Sequence, residues 1–149
     1  MHMDFLQEIE QWMQKNNWQY KRRSKAGILE MDMRLQCELE RCRVLVWLRE
    51  GDCVVIGRIP VKVEEEARSR VAEYLCRVNY GLYYGGFDFN FNDGEIRYKT
   101  LLTKLADTDR QEENIEEAMV RPAMMFDMYG PGLLEVWKKE KEPSEVAEG

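Results

Sequence analysis

Apolar positions along the chain change their period several times, and each change marks an element. Phe5, Ile9, Trp12 and Met13 recur at helical spacing, and Asp4 with Gln7 has the form of a capping box. A first helix is predicted over about residues 4–16, ended by Asn16-Asn17. A short strand is expected from Trp18 to Arg23, with a turn at Ala26-Gly27. Leu29, Met31, Met33, Leu35 and Cys37 then alternate with Glu30, Asp32, Arg34 and Gln36. Period two with one wet face indicates a strand of an antiparallel sheet. Cys42 to Arg49 is more uniformly apolar, which predicts a strand covered on both faces. Glu50-Gly51-Asp52 turns the chain into a further strand, Cys53 to Gly57.

Pro60 interrupts pairing, and Glu64-Glu65-Glu66 opens a second helix, where carboxylates complement the helix dipole. Its apolar stripe is Ala67, Val71, Tyr74, Leu75 and Val78, and Asn79-Tyr80-Gly81 stops it. Phe87, Phe89 and Phe91 next alternate with Asp88, Asn90 and Asn92 ahead of Asp93-Gly94, the preferred pair of a two-residue type I′ turn. That turn would oppose Phe91 to Ile96, Phe89 to Tyr98 and Phe87 to Thr100. Thr108 or Asp109 is expected to cap a last helix with apolar residues Ile115, Met119, Phe126, Leu133 and Trp137. The stripe keeps phase across Pro122, whereas Gly130-Pro131-Gly132 should kink or split the helix. From Glu140 onward the chain reads as a disordered acidic tail, so residues 1–139 are one domain and 140–149 an appendage. The architecture is α+β, an antiparallel sheet packed by helices in the order α-β-β-β-α-β-β-α.

With 44% hydrophobic and 34% charged residues, the 149-residue chain has the composition of one globular domain. No apolar run is long enough to span a bilayer and no secretion signal is legible, so no membrane partner and a cytoplasmic location are expected. The net charge is −6, and residues 104–149 hold the whole acidic excess. Acidity disfavours nucleic acid as a partner. One basic cluster, Lys21-Arg22-Arg23 with Lys25 beside Trp18 and Tyr20, is more simply a charged edge strand.

Candidate chemistry is thin. The sole histidine is His2, at the terminus, which removes triads and zinc sites that need histidine. Cys37, Cys42, Cys53 and Cys76 contain no CxxC pair and are expected to be reduced thiols, although Cys37 and Cys42 have the spacing to face each other across a hairpin. The Asp88–Gly94 stretch fails as a calcium loop, because its glycine comes seventh and Lys99 stands twelfth. Gly81, Gly85 and Gly86 follow a helix and open a strand, the reverse of a phosphate loop. Glu112, Glu113, Glu116 and Glu117 read as a solvated helix face. No catalytic, metal or cofactor residue is assigned, and the chain is not expected to be an enzyme. What stands out is a binding surface: Met124, Met125, Met128 and Tyr129, with Tyr83 and Tyr84. Methionines and aromatics suit adaptable contacts, while Phe126 among them reads as core.

In order along the chain, Pro60-Val61-Lys62-Val63, Asn79-Tyr80-Gly81-Leu82, Gly86-Phe87-Asp88-Phe89 and Asp93-Gly94-Glu95-Ile96-Arg97-Tyr98-Lys99-Thr100 resemble the YbjN-type family, bacterial proteins labelled sensory transduction regulators. The pattern covers roughly residues 42–137 and is structural rather than catalytic. The resemblance implies a fold like the small chaperones of type III secretion systems, usually homodimeric, binding protein clients. A protein-binding chaperone-like or adaptor domain forming a homodimer is therefore expected. The alternative is a sensor holding a small molecule between sheet and helices near Trp47, Phe89 and Tyr98.

Overall fold

The computed structural model describes residues 4–23 and 27–147. His2, Lys25, Ala26 and the last two residues of the expected tail lie outside that range. The chain forms α1 (Phe5–Lys15), β1 (Lys21–Arg23), β2 (Ile28–Arg34), β3 (Arg41–Arg49), β4 (Asp52–Lys62), α2 (Arg68–Tyr80), β5 (Gly86–Phe89), β6 (Glu95–Leu102), α3 (Gln111–Trp137) and α4 (Pro143–Val146). The capping box of α1 is present: Gln7 N–H donates to Asp4 Oδ1 at 2.8 Å and Asp4 N–H to Gln7 Oε1 at 2.9 Å.

All neighbouring strands are antiparallel, in the order β1-β2-β3-β4-β6-β5. Register then decides which side chains share a face. Leu29, Val46, Val55 and Thr100 form one rung across the sheet, and Met31, Val44, Gly57, Tyr98 and Phe87 the next. These rungs are buried under α1, α3 and, beside β5, α2. The opposite face carries Ile28, Trp47, Val54 and Leu101 as one rung and Asp32, Arg43, Arg58, Arg97 and Asp88 as another. No helix lies over it among the described residues. The expectation that β3 is covered on both faces is therefore corrected. Its Leu45 and Trp47 are half-buried, and the Arg49 guanidinium lies 4.2 Å over the Trp47 ring, sheltering part of it.

The aromatic hairpin forms two residues out of the expected register: Phe87 faces Tyr98 and Phe89 faces Ile96. A slip of two keeps every side chain on its face, so the aromatic packing survives. The loop is longer because Asn90 and Asp93 bond the backbone two residues on, at Asn92 N–H (2.9 Å) and Glu95 N–H (3.0 Å). Gly94, at φ +81°, gives its carbonyl to Val63 N–H at 2.9 Å, and a Cβ there would run into the Val63 backbone.

α3 is one continuous helix of 27 residues, so the expected split at Gly130-Pro131-Gly132 does not occur. Both glycines are buried where Leu39 and Cys37 (Gly130) or Tyr74 and Val146 (Gly132) leave no room for a Cβ. Close packing there outweighs the roughly 1 kcal/mol propensity cost of each glycine. Neither Thr108 nor Asp109 is the cap; α3 starts after a 3₁₀ turn, with Arg110 in the cap position and no side-chain cap bond. The disordered tail is also corrected for residues 143–147: α4 packs on α2, Pro143 is buried, and Val146 and Ala147 join the core. All four cysteines are free thiols, and burial pushes those of Cys42 and Cys53 up to about 12.

Candidate functional site

Helical geometry sorts the methionine-rich run of α3. Residues three, four and seven on from Arg121 share its face, which brings Met124, Met125 and Met128 together on one side. Phe126 falls on the other side and is core, 1% exposed, its ring edge-on to Phe87 at 5.4 Å. Met124 and Met128 are 55% and 62% exposed, while Met125 and Tyr129 are half-buried. Tyr129 is fixed from inside: its ring lies edge-on to Phe87 at 6.0 Å and its carbonyl accepts from Tyr74 Oη at 2.8 Å. Burial raises the Tyr74 hydroxyl to about 12, so it stays a donor throughout the physiological range.

Tyr83 and Tyr84 sit in the loop from α2 to β5, 88% and 59% exposed, ring edge to ring face at 4.7 Å. The backbone beneath them is anchored, because Tyr98 Oη donates to the Tyr84 carbonyl at 2.8 Å. The Arg121 guanidinium lies 4.7 Å over the Tyr84 ring and joins the loop to α3. The contact between the two groups is this one: Arg121 meets Tyr84 and shares its side of α3 with Met124, Met125 and Met128. Tyr80, 95% exposed at the end of α2, just before the loop of the tyrosine pair, was missed by sequence reasoning. The signal was there: Tyr80 falls off the Val71, Tyr74, Leu75 and Val78 stripe, so it had to point outward.

Next to this surface the sheet edge is closed. The Asn79 side chain, from the last turn of α2, accepts from Phe87 N–H and donates to the Phe87 carbonyl, each at 2.8 Å. It occupies the outward-facing groups of Phe87, which would otherwise be open to another strand, and so shortens the free edge of β5.

The pocket expected near Trp47, Phe89 and Tyr98 does not exist as drawn. Trp47 is on the uncovered face and Tyr98 on the covered one, where it is fully buried against Phe87 at 5.3 Å. Glu112, Glu113, Glu116 and Glu117 are all exposed, as a solvated face requires. No helix is long and apolar enough to cross a membrane, and no cluster of His, Cys, Asp or Glu is placed to hold a metal ion, among the described residues.

No curated protein matches the chain. A crystal structure of YbjN from E. coli, described as "a putative transcription regulator", is similar at a TM-score of 0.62 and 10% identity, covering 85% of this chain and 92% of that one. The likeness is one of fold. The profile of the YbjN family, "Putative bacterial sensory transduction regulator", matches residues 6–135. Nearly the whole described chain lies within that match, and the protein belongs to the YbjN family.

Proposed function

We propose that this chain is a non-catalytic regulatory domain that acts by binding a protein client and that it self-associates as a homodimer. The observation that carries the client reading is the concentration of exposed apolar and aromatic side chains around the α3 face and the α2–β5 loop. Met124, Met128, Tyr80, Tyr83 and Tyr84 are each more than half exposed, on a backbone held rigid from beneath. Contiguous apolar surface rimmed by charge marks contact sites, and rigid aromatics beside flexible methionines suit a partner of varied sequence. The family's regulatory description agrees with a domain that works by contact rather than by catalysis.

The test is affinity capture from the native lysate with the wild-type chain and with Met124→Glu/Met128→Glu, both checked for intact folding. A near-stoichiometric protein retained by the first and lost by the second is expected. An identical set of proteins on both, or none on either, overturns the assignment of this surface.

A further inference from the structure

β4 is longer than its neighbour. Its last pair with β3 is Arg43 with Arg58, yet β4 runs on to Lys62. Beyond that pair β3 runs on only through Cys42 and Arg41, which stay paired with β2 but not with β4, before the β2–β3 loop begins. The last turn of α3 closes the far side. The result is a groove of about 550 Å³ with apolar walls from Leu39, Pro60, Val61, Leu134 and Trp137. That volume is within the usual range of small-ligand sites.

The walls are preformed. Trp137 Nε1–H donates to Glu64 Oε2 at 2.9 Å, and Arg70 donates to the Val136 and Trp137 carbonyls at 2.9 and 2.6 Å. The end of α3 is thereby fixed before any ligand arrives, which lowers the ordering cost of binding.

The groove opens into a second hollow of about 360 Å³ that shares Arg41, Pro60 and Lys62 with it and adds Arg43 and Arg58. Asp32 and Glu95 line it as well, so Arg41, Arg43, Arg58 and Lys62 outnumber its carboxylates by two. Arg41 stands opposite Arg34, and Arg43, Arg58 and Arg97 are direct neighbours on three strands. Like charges set directly opposite cost stability in a sheet. Carboxylates offset part of that cost: Asp32 lies 3.2 Å from Arg43, and Asp88 lies 3.2 Å from Arg97. Arg58 reaches Glu95 only at 3.9 Å, and Arg41 has no ion-pair partner among the described residues. Glu38 and Glu40 also line the apolar groove, with Glu38 drawn to Lys138 at 3.6 Å.

We propose that this groove binds a small amphipathic anion: an aliphatic or aryl body between Leu39, Val61, Leu134 and Trp137, with one carboxylate or phosphate head at Arg41 and Arg58. Both guanidiniums have donors to spare, and a planar fork matches either head. The site is separate from the methionine–tyrosine surface, so loss of either leaves the other testable.

The probes are decanoate and decyl phosphate, below their aggregation thresholds, with decanol as the headless control and acetate and inorganic phosphate as the bodiless ones. Affinity is measured calorimetrically and location by the indole N–H resonance of Trp137, assigned with Trp137→Phe. Saturable one-to-one binding of a decyl anion that moves this resonance is expected, with decanol weaker by about tenfold, the worth of one charge-assisted contact. Whichever head binds tighter identifies the ligand's source. Arg41→Gln/Arg58→Gln should bring the anion down to decanol's affinity while decanol is unchanged. Leu134→Glu should abolish both with folding intact by circular dichroism. Equal affinity for decanol and the anions, an unchanged constant in the arginine variant, or no Trp137 response overturns the proposal.

Discussion

Single side chains close this fold at points where the backbone would otherwise be left open. Asp127, on α3, accepts from Gln36 N–H at 2.7 Å and Cys37 N–H at 3.0 Å, and so ties the β2–β3 loop to the helix. Asp93 does similar work in the hairpin. Its carboxyl is held below the usual range by the Glu95 backbone N–H first and by Lys62 second. A folded-state value below the unfolded one contributes stability at neutral pH that is lost as pH falls through the folded value. Asp93→Asn should therefore lower the urea midpoint at neutral pH, and the gap to wild type should close as pH falls below the ordinary aspartate value and on through the lowered folded one. A gap that persists in acid would show that the side chain acts through turn geometry alone. Glu64 is lowered as well, chiefly by its bond from the Trp137 indole. None of these partners is near in sequence, except Asp93 with Glu95, which is why the capping box of α1 was legible and the Asp127 tie was not.

Among the elements, those set by local period and local chemistry were readable. The alternation of β2 and the stripe of α2 rest on neighbours a few residues away; the stripe appears where the pattern puts it, and the alternation holds as strand to Arg34, short of the expected Leu35 and Cys37. Elements decided by tertiary contact were misjudged. The Asp93-Gly94 pair signals a tight turn, but docking of Gly94 on Val63 selects a longer loop. Gly130-Pro131-Gly132 reads as a break, but Leu39, Cys37 and Tyr74 pack where side chains would have stood. The crossing of α3 over the sheet has the same character. Gly57 in β4 is buried, and a Cβ there would collide with the Pro122 ring and lie 2.9 Å from Cys42 Sγ. Gly57→Ala should cost about 1–3 kcal/mol, the usual penalty of overpacking, read as a lowered denaturation midpoint. A neutral result would mean that α3 slides freely on the sheet.

For the molecule as a whole, the sequence specified the layer arrangement but not which surfaces remain bare. A uniformly apolar β3 says that its residues avoid water, not whether a helix or a second protein supplies the cover. Both outer strands are poor docking edges, since β5 is four residues long with Phe87 bonded by Asn79, and β1 has three exposed cationic residues. We therefore place self-association on the uncovered sheet face, centred on Ile28, Trp47, Val54 and Leu101, the last 61% exposed. Leu101→Glu should convert a dimer to a monomer in sedimentation at micromolar concentration, with circular dichroism unchanged. A wild-type chain that sediments as a monomer removes the dimer, and a Leu101→Glu dimer relocates its interface. The binding surface was half legible for a related reason. Helical phase separates Met124 and Met128 from Phe126, but the approach of Tyr83 and Tyr84 depends on a loop folding back over Arg121.

The unbroken α3 has a thermodynamic consequence. It is a single rod of 27 residues, about 40 Å long, with the methionine face in its middle and the groove wall of Leu134 and Trp137 at its end. Two occupants that touch one continuous helix share its position as a common variable. Whatever factor a groove ligand imposes on client affinity, the client must impose on the ligand, because coupling free energy is reciprocal.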